Sequence, residues 1–370
     1  MNTSEPKDGL LKQDALKNVR IAISASESPD LVRLGLVETH FRLALAEIAR
    51  SVLVSGGKLA YGGHLDPLGY TVMLVKELHR YSSRDKPLRI YLAWQEHLKL
   101  SREQYELQKD QLGLFGEIVC LDPDGNEIDW GKNRGDEPIV VGDPKLRQQS
   151  LTAMRVRMAR TENGRILIGG RRAGFQGAMP GVLEEASLSL ASGQPLYVAG
   201  GFGGACADIA HALGLDGGSW LPTNPDAPPP DIRLTAGLRQ LTQLATKTGW
   251  KATNNGLSDD ENSHLAATYR PSEIAALVSL GLGRRFAQSA GAEGQRSDIV
   301  HPTDKQTSSR PADKPKPRKA LKKGKTPKKA TAKKKKAPKK VAAKAAKKKK
   351  IAKKTKAAKK TKVSKRGAYA

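Results

Sequence analysis

From Val19 the chain alternates short apolar runs with longer amphipathic ones, and this alternation restricts its fold more than any other feature. The runs VRIAISA (19–25), KLAYGG (58–63), LRIYLAW (88–94), EIVCLD (117–122), RILIGG (165–170) and QPLYVAGG (194–201) are each long enough for one strand. Their apolar residues are nearly continuous, as in strands covered on both faces. Helical spacings lie between them, over 37–54, 68–81, 101–111, 145–161, 181–191 and 203–213. In the first, Phe41, Leu45, Ile48 and Val52 recur at three- and four-residue intervals. Such alternation predicts an α/β fold with a doubly wound, mainly parallel, Rossmann-like sheet of about six strands. Extra C-terminal helices are expected over 231–248, 257–268 and 271–287, the last opening on Pro-Ser-Glu. The stretch 123–143 reads as a loop or small hairpin.

Charge divides the chain in two. Residues 301–370 hold 30 of the 64 Lys and Arg but only two acids, Asp304 and Asp313, a net of +28. The rest has 34 basic and 35 acidic residues, so it is nearly neutral. The organisation expected is a flexible N-terminus (1–18), one α/β domain (19–288), a polar linker (289–309) and a Lys/Ala/Pro-rich tail (310–370). The tail has almost no branched apolar or aromatic residues to bury and its charges repel, so it is expected to be disordered. Cys120 and Cys206 sit apart in apolar settings and read as buried thiols of a reducing compartment. The N-terminus lacks an apolar signal segment, and no run approaches the about 18 apolar residues a membrane span needs. The expected location is the cytoplasm, with the nucleoid as a destination for the tail.

In a parallel sheet, ligands bind beyond the carboxyl ends of the strands. Three strand ends here carry suitable groups. After the first strand come Ser24 and Ser26, and after the second come Gly62, Gly63 and His64. After RILIGG come Gly169 and Gly170, then Arg171 and Arg172, and ten residues on, Pro180 and Gly181 open a helix carrying Glu184 and Glu185. Glycines let a backbone turn and approach a ligand, and the N–H groups of a following helix suit a phosphate. Arg171 and Arg172 would add charge at that place. Glu184 and Glu185 either complement the helix dipole or reach ribose hydroxyls. The turns do not match G-x-x-x-x-G-K-[ST] or G-x-G-x-x-G, so neither a P-loop nor a dinucleotide fingerprint is indicated. G-x-S-x-G is absent as well. The seven histidines form no ligand spacing, so no metal and no cofactor is expected.

The run MRVRMARTENGRILIGG, followed by MPGVLEEASLSLASGQPLYVAGG, resembles the SLOG superfamily. That group unites the LOG-type nucleotide phosphoribohydrolases, the Rossmann-like domain of the DNA-processing protein DprA, and sensor domains of prokaryotic defence systems. The sections ISASESPDLVRLGLVETHFRLALAEIAR, LAYGGHLDPLGYT and NNGLSDDENSHLAATYRPSEIAALVSLGL are similar to its SLOG cluster 2 branch, over roughly residues 19–287. The resemblance implies a binding site for a nucleotide or ADP-ribose derivative, with Glu185 at the last position of the LOG turn motif. The enzymes' arginine falls on Met154 by register, with Arg155 beside it, and RRAGFQGAM splits the turn. A sensor is therefore implied before a hydrolase; in a hydrolase, Glu185 and Arg155 would be the catalytic pair. SLOG-like domains often pair, so a homodimer is a further expectation.

The tail resembles those of linker histones and lysine-rich nucleoid proteins. Lysines neutralise phosphates and release counterions, so DNA is the expected partner, with RNA or polyphosphate as the other polyanions. Few aromatics means little base stacking, and no apolar face accompanies the lysines to favour a membrane. A nucleoid-packing protein with a scaffold body is the remaining alternative.

Overall fold

The computed structural model describes residues 11, 13–65, 69–81, 85–132, 135–215, 230–248 and 253–287. Seven strands form one sheet: β1 (Arg20–Ser26), β2 (Lys58–Gly62), β3 (Leu88–Leu92), β4 (Gly116–Leu121), β5 (Glu127–Ile128), β6 (Gly164–Gly169) and β7 (Leu196–Ala199). Their order is β5-β4-β3-β2-β1-β6-β7. Neighbours pair in parallel except β4 with β5, where Cys120 faces Ile128 in antiparallel register. The sheet grows one way from β1 through β4, then resumes on β1's other side with β6 and β7. The switch point of this doubly wound sheet thus lies between β1 and β6.

The helices are α1 (Glu38–Val54), α2 (Tyr70–Tyr81), α3 (Trp94–Leu98), α4 (Arg102–Leu112), α5 (Pro144–Thr161), α6 (Gly181–Ala191), α7 (Gly204–Ala212), α8 (Ile232–Thr248), α9 (Asp259–Ala267) and α10 (Pro271–Leu282). Strand residues alternate between two cores. Ile21 and Ile23 of β1, Ile166 and Ile168 of β6 and Tyr197 of β7 face a core shared with α1 and α10. On the opposite face Ala22 and Ala60 lie under Met154 and Met158 of α5. Beside them, Leu167, Leu196 and Val198 pack with residues of α6, α7 and α8. The four spaced apolar residues of α1 are all buried, as their periodicity requires.

The helix starts follow local chemistry. Ser101 and Gln104 form a capping box on α4, and Ser258 and Glu261 form one on α9. Asp143 accepts from the Lys145 N–H and Pro144 occupies the first turn of α5. The 123–143 stretch, expected as a loop or small hairpin, supplies the short edge strand β5 of a hairpin that turns on Asp122, whose Oδ1 accepts from the Asp124 and Asn126 N–H groups at 2.9 Å. One strand expectation changes. The third strand stops at Leu92, because Trp94 already begins α3. The linker and tail expectations, 289–309 and 310–370, lie outside the described residues. None of the described helices is long and apolar enough to cross a membrane.

Candidate functional site

A crevice of about 450 Å³ opens at the carboxyl edge of the sheet, over the switch point. Its walls come from the ends of β1 and β2, the start of α6, one face of α5 and the loop between β6 and α6. Ser24, Ser26, Gly62, Gly63 and His64 all line it, with Tyr61 and Tyr70 on the far wall. The parallel order brings these distant segments together, since every parallel strand ends on the same edge.

At the floor lies a buried ionic cluster. Arg155 of α5 donates through Nη1 to Glu184 and through Nε to Glu185 Oε1 at 3.3 Å. Thr152 Oγ1 donates to the other oxygen of Glu184 at 2.5 Å. Beneath Glu185 lies Arg165, fully buried on β6. Its Nη1 donates to Glu185 Oε2 at 2.9 Å and to Ser24 Oγ at 2.8 Å, and its Nε donates to Ser189 Oγ at 2.9 Å. Ser24 Oγ also donates to Glu185. Burial presses against the charge on Arg165, and Glu185 opposes that pressure. The strand alternation explains the placement. Arg165 and Leu167 point to the α5/α6 face, and Ala22 is the register partner of Arg165 on β1, leaving room for the long arm. Burial together with the Glu185 charge pushes the Tyr61 phenol up, so it stays protonated beside the cluster.

Gly169 and Gly170 adopt φ of +70° and +108°. A Cβ on Gly169 would lie 2.5 Å from the Ser26 carbonyl oxygen, and one on Gly170 would meet Ala205 and Val182. The turn therefore brings the backbone close to β1, α6 and α7 rather than to the crevice. At Gly181 a Cβ would lie 2.7 Å from Arg155 Nη2, so glycine there lets the guanidinium lie against the start of α6.

The two neighbouring arginines part company. Arg171 lines the crevice and its Nη2 bridges Glu27 at 2.7 Å. Arg172 turns away and binds Asp208 at 2.7 Å and Asp30 at 2.5 Å. Asp30 also accepts from the Gly204 N–H at 2.7 Å and from Arg33 at 2.7 Å, so the first turn of α7 is capped by the chain's own carboxylate. Burial raises the Asp30 pKa, but the Gly204 N–H, Arg33 and Arg172 outweigh it and hold it below the ordinary carboxylate range. A carboxyl lowered in the folded state stabilises the fold above about pH 4, and that contribution is lost as pH falls through the lowered value. Asp30→Asn should weaken the fold near neutrality and make its acid destabilisation shallower. Urea midpoints at descending pH check this; parallel curves for both proteins would remove Asp30 as the responsible group.

A family model described as SLOG cluster2 matches residues 15–265. The chain belongs to the SLOG cluster 2 family. A search of the curated proteins found none that matches it. The match ends within α9; α10, which packs against α1, lies beyond the matched residues.

Of the residues expected at the SLOG site, Ser24, Ser26, Gly62, Gly63, His64, Arg155, Arg171, Gly181 and Glu185 line the crevice. Gly169, Gly170, Arg172, Pro180 and Glu184 stand behind it as support. Sequence reasoning missed Arg165, although a charged residue inside a strand covered on both faces was a visible anomaly. It also missed the Glu38–Arg42–Tyr70 wall, in which Tyr70 donates to Glu38 at 3.0 Å and Arg42 lies 5.2 Å from the Tyr70 ring centroid. Those residues carry ordinary helical spacing and gave no separate signal. Met154 packs toward Gly62, where a Cβ would lie 3.1 Å from its methyl group. Among the described residues no group of three or more His, Cys, Asp or Glu is placed to hold a metal ion.

Proposed function

We propose that the SLOG body is a sensor that binds a nucleotide or an ADP-ribose derivative in the crevice, and that residues 310–370 tether it to DNA. The observation that carries the first half is Glu185, a carboxylate held between Arg155 and Arg165 at the floor of a crevice over the switch point. A carboxylate fixed in this way, with Oε1 contacted only by Arg155 among the described residues, can accept a ribose hydroxyl there without reorganising. The crevice volume falls in the range of small-ligand sites. The second half rests on the charge of the tail.

Two details favour sensing over hydrolysis. The position that register assigns to the enzymes' arginine is Met154, an apolar side chain packed against Met158 under β2. Arg155, beside it, is held through Nε and Nη1 by the two glutamates, so its charge is already balanced by carboxylates before a phosphate arrives. In the hydrolase alternative Arg155 would turn its remaining N–H groups to the phosphate, and Glu185 would stabilise the ribosyl cation.

The test incubates the full chain with nucleoside monophosphates, cyclic nucleotides, NAD and ADP-ribose, following melting temperature and free base together. At about 100 times Kd a ligand adds roughly 2.7 kcal/mol to stability, which a melting curve resolves easily. A shift without release of base is the expected result. Released base that disappears in Glu185→Gln would make the protein a phosphoribohydrolase. No response to any compound would leave the body as a scaffold for the tail.

A further inference from the structure

The charged groups of the crevice come in pairs, and the pairs are unequal. Arg155 is buried with Glu184 and Glu185. Arg42 bridges Glu38 at 3.2 Å and covers the Tyr70 ring. Arg171 and Glu27 form the third pair, at 2.7 Å, with 56% and 65% of their side chains exposed. Glu27 follows β1 and Arg171 follows β6, so this bridge crosses the mouth of the crevice at the switch point. The Arg171 N–H also donates to Ser26 Oγ at 3.3 Å, which ties the root of its side chain to β1 while its tip stays in solvent.

These differences set which pair an incoming anion can open. Parting Arg155 from Glu185 would strip a buried carboxylate of one of its cations, a costly change. Arg42 is held by both a carboxylate and an aromatic face. The Arg171–Glu27 bridge is solvated, and exposed pairs hold each other weakly. A phosphate can take two parallel N–H bonds from one guanidinium, and in doing so it outcompetes a single carboxylate contact.

We propose that Arg171 reads the anionic group of the ligand and that Glu27 is its built-in competitor, displaced from Arg171 when the ligand's phosphate arrives. This rests on the nucleotide-binding reading of the crevice and adds a specificity element to it. Glu27 keeps the mouth bridged and the arginine neutralised when the crevice is empty. It also disfavours excess negative charge there, because the displaced carboxylate remains close to the bound phosphate.

Isothermal titration of the full chain with the four nucleoside 5′-monophosphates, ADP-ribose and the matching unphosphorylated nucleosides tests the exchange. In Glu27→Gln, each phosphate-bearing compound that binds the wild type should bind about 3- to 5-fold tighter, the scale of one exposed ion pair. The affinity of the bare nucleosides should stay the same. In Arg171→Met, the phosphate-bearing compounds should fall to the affinity of their nucleosides, and adding Glu27→Gln should restore nothing. Both side chains are exposed, so the variants keep the fold. Unchanged or weaker binding of phosphate compounds by Glu27→Gln, or phosphate discrimination surviving in Arg171→Met, overturns the exchange and leaves the binding site standing. Binding of none of the compounds by wild type or by Glu27→Gln overturns the nucleotide reading itself, and the exchange with it.

Discussion

Arg165→Met is expected to destabilise the body by roughly 3–5 kcal/mol, the usual cost of removing one partner from a buried ion pair. Methionine fills much of the arm's volume but donates nothing to Glu185, Ser24 or Ser189. The Glu185 carboxylate then keeps only Arg155 as a cation, so the loss should lie toward the lower figure. The pair Arg165→Met with Glu185→Gln should lose clearly less than the sum of the single losses, because the second change removes the stranded charge. Urea unfolding of the four proteins, followed by circular dichroism, gives this cycle directly. Additive losses would mean that Arg165 and Glu185 are neighbours without being energetic partners. Nη2 of Arg165 has no hydrogen-bond partner among the described residues. The contact of Arg165 with Glu185 fixes the position of that carboxylate.

The second large effect belongs to the tail. The full chain should bind duplex DNA of unrelated sequences with similar affinity and a steep salt dependence. With about 6–10 lysines engaged, affinity should fall roughly 10³- to 10⁵-fold between 50 and 200 mM salt. Residues 301–370 hold 30 Lys and Arg, so the charge needed is present several times over. Fluorescence anisotropy with short duplexes across a salt series measures the slope, and the same titration with a chain ending at residue 300 isolates the tail. The nearly neutral remainder should bind little. A shallow slope, or affinity retained after truncation, would move the DNA contact into the body. Stronger competition by RNA or polyphosphate than by DNA would change the partner and leave the electrostatic mechanism intact.

Much of the architecture was legible before any coordinates. The continuous apolar runs are a local property, and so are the spacing of Phe41, Leu45, Ile48 and Val52 and the Pro-Ser-Glu start of the last helix. Each became the expected element, starting within a residue or two of the expected place. The exceptions were small and had local causes that pattern alone does not resolve. A strand of two residues, Glu127–Ile128, is too short to show a period. Trp94 suits a buried strand and a helix start equally well.

The location of the candidate site followed from the same logic. A parallel sheet sends every strand end to one edge, so the Ser24, Gly62 and Glu185 segments had to meet there if the fold was right. Which charges would pair at that edge was not a local matter. Arg171 and Arg172 are identical neighbours in sequence, yet one faces the crevice and the other is bound to Asp30 and Asp208. Ser24 and Arg165 are 141 positions apart and become partners only because β1 and β6 are adjacent in register. The sequence alone therefore determined most of the elements and the mainly parallel α/β class, because periodicity and turn chemistry act over a few residues. The tertiary structure alone decided that Arg165 lies under Glu185, that Asp30 caps α7 and that Arg171 is the cation at the mouth. Ion pairing depends on which side chains the crossovers bring within about 3 Å of each other in a poorly solvated space, and no local pattern encodes that distance.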